Sequence, residues 1–245
     1  MTEENPGLGA QALNKMAEIA LSSQMEEAEN LQVQVKVDPS NLAKGEVDSL
    51  ALSGKGLMMR PGWRMEELEM QINSIAVKPL KAVFGKIELV KPAEGTARIV
   101  LTEADLNRAF NSEVISNQLC QPVVQLNENL VTVDILQVAC HLLSDGTLAL
   151  DTEVVLCETG ASQQISFTST PINVDGQGVV LQNVQYSKGK ESPELTSALV
   201  ERASEILNLR NFEIEGISLQ IEHINVEAGK LTLQAKALVT QFPTS

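Results

Sequence analysis

The sequence predicts an α+β fold, with long amphipathic helices packed on a large, highly curved antiparallel sheet, and three observations carry the prediction. Apolar residues recur with period two in about a dozen short runs, many of them ended by Gly, Asn or Asp. Three other stretches carry apolar residues at the 3.6-residue period of a helix. The areas then fail to match: about twelve strands ~20 Å long at ~4.8 Å spacing present roughly 1,150 Å² of apolar face, whereas three helices of ~24 by ~10 Å cover about 720 Å². Such a sheet must curl on itself, or something outside the chain must cover it, and a curved sheet with a long groove does both.

Taken in order, the first helix spans Leu8 to Glu29, with Leu13, Met16, Ala17, Ala20 and Leu21 on one stripe and Lys15 and Glu18 off it. Leu31, Val33, Val35 and Val37 then alternate with polar residues until Asp38-Pro39-Ser40-Asn41 breaks the strand, and a second strand runs from Gly45 to Leu52. Further strands fall at Leu68 to Ile72, Lys86 to Val90 and Thr96 to Leu101. Thr102-Glu103-Ala104-Asp105 has the form of a capping box, and Leu106, Ala109, Phe110 and Val114 continue it as a helical stripe. Val131, Val133 and Ile135 alternate towards a hairpin turn at Ser144-Asp145-Gly146-Thr147, and Leu148, Leu150, Val154 and Leu156 return. Two more strands follow, at Gln163 to Thr168 and Val179 to Gln185.

Ser192-Pro193-Glu194 opens the last helix, since Ser caps, Pro tolerates the first position and Glu faces the positive end of the dipole. Leu195, Ala198, Leu199, Ala203, Ile206 and Leu207 form its apolar face. Beyond Asn211 the parity of the apolar residues flips at Gly216, a bulge signal, and Glu227-Ala228-Gly229-Lys230 turns the chain into a return strand of Leu231, Leu233, Ala235, Ala237 and Val239. Helix followed by hairpin is thus a unit that the chain repeats, within one domain from residue 8 to 242 flanked by flexible termini at 1–7 and 243–245.

Composition excludes several functions. A formal charge of -14 on 245 residues opposes general nucleic-acid binding, because phosphate backbones repel such a surface. The N-terminus has no basic and apolar signal segment and no run approaches the ~20 apolar residues of a membrane span, so the expectation is a cytoplasmic protein, peripheral at most to a membrane. Cys120, Cys140 and Cys157 lack paired spacing and read as reduced core thiols. His141 and His223 sit in strand patterns with no nucleophile signature, Gly54-Lys55-Gly56 lacks the remainder of a phosphate loop, and the Glu26/Glu27/Glu29 and Glu66/Glu67/Glu69 clusters lack the spacing of a calcium loop. No catalytic residue, metal site or cofactor is expected. With five Phe, one Tyr and one Trp, the interior is aliphatic, a composition equally suited to an ordinary core and to acyl chains.

Charge is unevenly placed. Lys55, Arg60, Arg64, Lys78, Lys81, Lys86, Lys91 and Arg98 oppose Glu66, Glu67, Glu69, Glu88 and Glu94, a local +3 that leaves -17 elsewhere. Within this segment Met58, Met59, Arg60, Trp63 and Arg64 cluster at a turn, and Lys81, Phe84 and Lys86 lie on a short amphipathic helix, the chemistry of a contact with anionic lipid headgroups. Equally, Trp63 plugs the end of the sheet and the Lys residues protect a solvated edge.

Taken together, ALNKMAEIAL, GEVDSLALSGKGL, SIAVKPLKAVFGKIEL, LTEADLNRAFNSEVI and NFEIEGISLQIEHINVEAGKLTLQAKA resemble the bacterial LmeA-like phospholipid-binding family, formerly a domain of unknown function, from about Leu8 to Phe242. LTEADLN and PLKAVFGKI are the most specific parts of the resemblance. It implies a fold similar to the tubular lipid-binding (TULIP) proteins, with an elongated groove or half-barrel, and it implies non-enzymatic phospholipid binding, with transfer or membrane lipid homeostasis as its use. The best-known members of the family are exported, and the absence of a signal segment here departs from them.

The groove is accordingly expected along Leu13, Met16 and Leu21 of the first helix, Leu199, Ile206 and Leu207 of the last, and Val35, Leu233 and Ala235 of the strands. A homodimer or partner interface on the same apolar surface, without lipid, is the alternative.

Overall fold

The computed structural model describes residues 14–15, 17–19, 21–42, 44–60, 62–78, 88–113, 123–126, 129–174, 176, 178–187, 192–207 and 215–241. Among them, eleven strands form two antiparallel sheets. The first contains β1 (Glu27–Lys36), β2 (Glu46–Arg60), β3 (Trp63–Ala76), β4 (Ala93–Thr102), β10 (Ile217–Glu227) and β11 (Lys230–Val239), in the order β1-β2-β3-β4-β11-β10. The second contains β5 (Val123–Leu126), β6 (Asn129–Leu142), β7 (Leu148–Leu156), β8 (Ser162–Val174) and β9 (Gly178–Tyr186), in sequence order.

Register explains why the first sheet has a dry face and a wet one. Val33, Leu52, Met70, Ala97, Ala235 and Ile221 are successive cross-strand partners from β1 to β10, and all six are buried. The neighbouring row, Gln34, Ala51, Gln71, Thr96, Lys236 and Gln220, points the other way and is polar in all but one member. Side chains alternate across a strand, so matched registers carry one apolar band across the whole sheet. This sheet curls into a half-barrel. Gly95 marks one tight approach in the curl: a Cβ there would lie 2.3 Å from the Gln71 carbonyl oxygen.

Turn chemistry follows the sequence. The Asp145 carboxylate accepts from the Thr147 amide at 3.1 Å between β6 and β7, while Gly229, at a φ of 78°, closes the two-residue loop between β10 and β11. β2 runs on through Gly54-Lys55-Gly56 to Arg60, which pairs with Trp63 across Pro61-Gly62. Met58 and Met59 are therefore strand residues and not part of a turn. Gly216 lies just before β10 rather than within it, and the register shift comes later, between Ile221 and His223. The expected strand at Lys86 to Val90 is reduced to a single bridge, Val77 to Leu89, with residues 86 and 87 outside the described set.

The expectation of long helices is not met. Helix α1 has described residues 14–15, 17–19 and 21–22, and turns out at Ser23, whose amide donates to Ile19 O. The chain is already in β1 at Glu27 instead of helical to Glu29, because Glu26, Glu27 and Glu29 offer a helix no apolar face while the long β2 offers them partners: Glu26 N donates to Met58 O and Ala28 pairs with Leu57. α2 (Pro39–Leu42) is one turn, α3 (Glu103–Phe110) has 8 residues and α4 (Pro193–Ile206) has 14. Cover comes from the sheets themselves, whose inner residues form one hydrophobic cluster spanning both.

α3 joins the two sheets. Thr102 caps it in the expected capping box, accepting from Asp105 N while Asp105 accepts from Thr102 N. From this anchored start, Glu103, Asn107 and Asn111 project at successive i+4 positions onto β6, where they bond to the backbones of Leu142, Cys140 and Val138. Elsewhere the sheets meet where Ile221 N donates to Gly176 O, Asn173 Nδ2 donates to Ile221 O and Gly229 N donates to Leu142 O.

Candidate functional site

The inner face of the first sheet has small residues at its centre and larger ones on either side. Ala93, Gly95 and Ala97 of β4 pair with Val239, Ala237 and Ala235 of β11. Leu50, Leu52, Met70 and Ile72 rise on the β2–β3 side, and Ile217, Leu219 and Ile221 on the β10 side. Short side chains on two adjacent strands mark a strip, the trough, roughly two strand spacings or ~10 Å wide, in which Ala93, Ala97, Ala235, Ala237 and Val239 are buried within the core cluster.

The sequence-derived groove residues divide between two places. Val35, Leu233 and Ala235 share the inner face of this sheet, with Ala235 on the trough floor. Leu199 and Leu207 are buried on α4, which packs against β9. Leu21 is buried at the end of α1. Leu13 and Met16 lie outside the described residues, and Ile206 is described only as backbone of α4. The floor residues opposite Ala235 and Ala237 were missed, because the β4–β11 pairing joins segments 128 to 146 positions apart and no local signal reports it.

The proposed membrane patch is arranged differently from its expectation. Trp63 is 3 % exposed, in the core, the position of a plug. Met58 and Met59 are half-buried, while the Arg60 side chain, Lys81, Phe84 and Lys86 lie outside the described residues. The Arg64 guanidinium donates to Asp105 at 2.7 Å, Glu66 at 2.9 Å and Glu29 at 3.0 Å, and the Asp105 contact above all raises its pKa further beyond the ordinary arginine range. Of the other cations in the segment, Lys55 and Arg98 meet Glu67 and Lys78 meets Glu88. Among the described side chains of the segment, Lys55, Arg64, Lys78 and Arg98 are thus engaged by neighbouring carboxylates.

A cavity of about 510 Å³ opens beside Arg64, lined by Glu27, Ala28, Glu29, Gly56, Met58, Arg64 and Arg108. A smaller one of about 250 Å³ lies among Gln32, Ser53, Lys55 and Glu69 on the outer face. Charged and amide walls make both poor places for hydrocarbon. His141 stands 3.7 Å from Glu103, whose other oxygen already accepts from Leu142 N, so the carboxylate is tied to the fold. Among the described residues no group of three His, Cys, Asp or Glu is placed to hold a metal ion. Cys140 is fully buried, and burial pushes its thiol up to about 12; Cys157, expected in the core, is exposed in the turn after β7, and Cys120 lies outside the described residues. No helix among the described residues is long and apolar enough to cross a membrane.

No curated protein and no solved structure matches the chain. One family model does, described as LmeA-like phospholipid-binding, and it spans residues 6–236, from before α1 into β11. The match covers nearly the whole chain, including the described helices and every described strand but the last residues of β11, and the chain therefore belongs to the LmeA-like phospholipid-binding family.

Proposed function

We propose that the chain binds a phospholipid by its acyl chains on the inner face of the half-barrel, without catalysing a reaction. The observation that carries this reading is the unbroken apolar band from Val33 to Ile221 with its small-residue floor at Ala97 and Ala235. Side chains this small at the centre of a wide sheet leave depth that large residues elsewhere would fill. Each methylene removed from water contributes about 0.8 kcal/mol, so a single acyl chain brings several kcal/mol after ordering costs. Membership of a phospholipid-binding family points to the same ligand.

Uptake of phosphatidylcholine with a fluorescent acyl chain from vesicles tests the proposal. Wild type should acquire the lipid, and a folded Leu233→Glu variant should not, because a carboxylate on the trough wall opposes hydrocarbon. Undiminished uptake by that variant would remove the trough as the site. Adding acceptor vesicles afterwards reads transfer, the use we propose for the bound lipid.

A homodimer or partner interface on another surface than the one first expected has one observation in its favour. Val123, Leu130 and Leu136 are 62, 72 and 50 % exposed on the β5–β6 arm, a surface distinct from the trough. A mass that rises with concentration in a lipid-free preparation would support it.

A further inference from the structure

The cavity of about 510 Å³ beside Arg64 falls in the range of small-molecule sites, ~300–1,000 Å³, and it is walled by charges that the fold leaves unengaged. Arg64 itself is held by Glu29, Glu66 and Asp105. Arg108 and Glu27 line the same cavity and take part in none of those ion pairs. Both are exposed.

Local structure brings these groups together. Arg108 follows Asp105 by three residues on α3, so the two share a stripe, and the Arg64–Asp105 contact turns that stripe towards the cavity. Glu27 pairs with Met58 and Met58 with Arg64, so one row of β1, β2 and β3 carries Glu27 to the same end of the sheet. Glu29 is fixed beside them. Its carboxylate accepts from Arg64 at 3.0 Å and lies where a Cβ on Gly56, at a φ of 58°, would stand.

The strands relate this end to the trough. At alternate positions β1 reads Glu27, Glu29, Leu31, Val33 and Val35, and β3 reads Arg64, Glu66, Leu68, Met70 and Ile72. Leu31, Gly54 and Leu68 stand in one row, so both strands change from charged to apolar at the same level. From Arg64 to the row of Met70, Ala97 and Ala235 is six residues of strand, about 20 Å. A phospholipid has the same order, a charged head followed by hydrocarbon.

The balance of charge selects the head. Around the cavity two arginines stand with four carboxylates, Glu27, Glu29, Glu66 and Asp105, so a head carrying only negative charge is opposed. Of the two arginines, Arg108 is the one outside those ion pairs, and a phosphate suits it; an ammonium suits Glu27 and Glu29.

We propose that this cavity holds the headgroup of a zwitterionic phospholipid, its phosphate on Arg108 and its ammonium on Glu27 and Glu29, so that the protein selects phosphatidylethanolamine over phosphatidylglycerol. The proposal rests on the reading that the chain binds phospholipid and adds the class of headgroup.

The test offers the full chain either lipid, with identical fluorescent acyl chains, as a minor guest in phosphatidylcholine vesicles, so that the surface charge is the same. Wild type should take up phosphatidylethanolamine in preference, roughly 2- to 5-fold, the range of a partly solvated ion pair. Glu27→Gln should lower that preference. Arg108→Gln should lower uptake of both lipids and keep their ratio, since both carry the phosphate. Equal uptake by wild type, or a preference for phosphatidylglycerol, would overturn the proposal, and neither result depends on a variant folding. An unchanged preference in folded Glu27→Gln would overturn it too. Titration with soluble glycerophosphoethanolamine separates the sources of the same chemistry: a lipid headgroup predicts weak binding without the chains, and tight binding would reassign the cavity to a soluble compound. If neither guest is taken up, the acyl-chain reading fails as well, which separates the two failures.

Discussion

Asn107 and Cys140 exchange two hydrogen bonds as though they were neighbours in a sheet: the Asn107 amide donates to Cys140 O at 2.9 Å and accepts from Cys140 N at 2.8 Å. Asn111 repeats the arrangement on Val138, and Glu103 accepts from Leu142 N. The geometry works because four residues of helix rise about 6.0 Å and two residues of strand about 6.8 Å, so an i+4 stripe on α3 keeps step with alternate residues of β6. A helix thereby completes a strand edge that would otherwise expose backbone groups.

Removing that amide should be costly. Asn107→Leu leaves a buried N–H and C=O of Cys140 without partners, with an expected loss of about 2–4 kcal/mol. Asn107→Asp keeps the acceptor and should lose less. Denaturant unfolding of the three proteins checks the order, and equal midpoints would refute the pairing.

Arg64 and Asp105 yield a second prediction. The pair is 2.7 Å apart, with the Asp105 side chain 1 % exposed, and Asp105 also holds the capping box of α3. Asp105→Ala strands the guanidinium and uncaps the helix, and should cost roughly 3–5 kcal/mol. Arg64→Ala should likewise destabilise. If either variant melts with wild type, the cap and the ion pair do not hold α3.

Thiol chemistry separates two cysteines. At pH 8, Cys157 should react with a maleimide while Cys140 is protected until the chain unfolds, as peptide mapping would show. Burial raises the Cys140 pKa from 9.0 to about 12. The contribution of the neutral thiol to stability is therefore complete below pH 9 and is lost as pH climbs towards 12. Cys140→Ala should flatten that alkaline loss, and an unchanged alkaline profile would refute the assignment.

Much of this fold is legible in the sequence where the signal is local. Thr102 and Asp105 form the capping box that their spacing predicts, and Asp145-Gly146 and Ala228-Gly229 turn the chain where expected. Local signals fail where a distant partner decides. Residues 26–29 follow two helical turns and read as their continuation, yet the length of β2 draws them into the sheet. Asn107 and Asn111 look like indifferent helix residues until β6 lies beside them. On the inner face, alternation reveals Val35, Leu233 and Ala235 as inward, but only the β4–β11 register sets Ala97 against Ala235.

That register leads to a prediction about the trough. Ala235→Leu fills the floor, and overpacking should cost about 1–3 kcal/mol in the empty protein. If acyl chains lie there, lipid uptake should fall far more than stability. Uptake equal to wild type by a folded Ala235→Leu protein would move the chains elsewhere.

The most direct measurement is to purify the full chain under native conditions, extract it with organic solvent and identify what it holds by mass spectrometry. Acyl-chain binding predicts phospholipid at near one-to-one stoichiometry. A lipid-free protein that also takes up no added phospholipid would contradict the account and leave the inner face as an ordinary core.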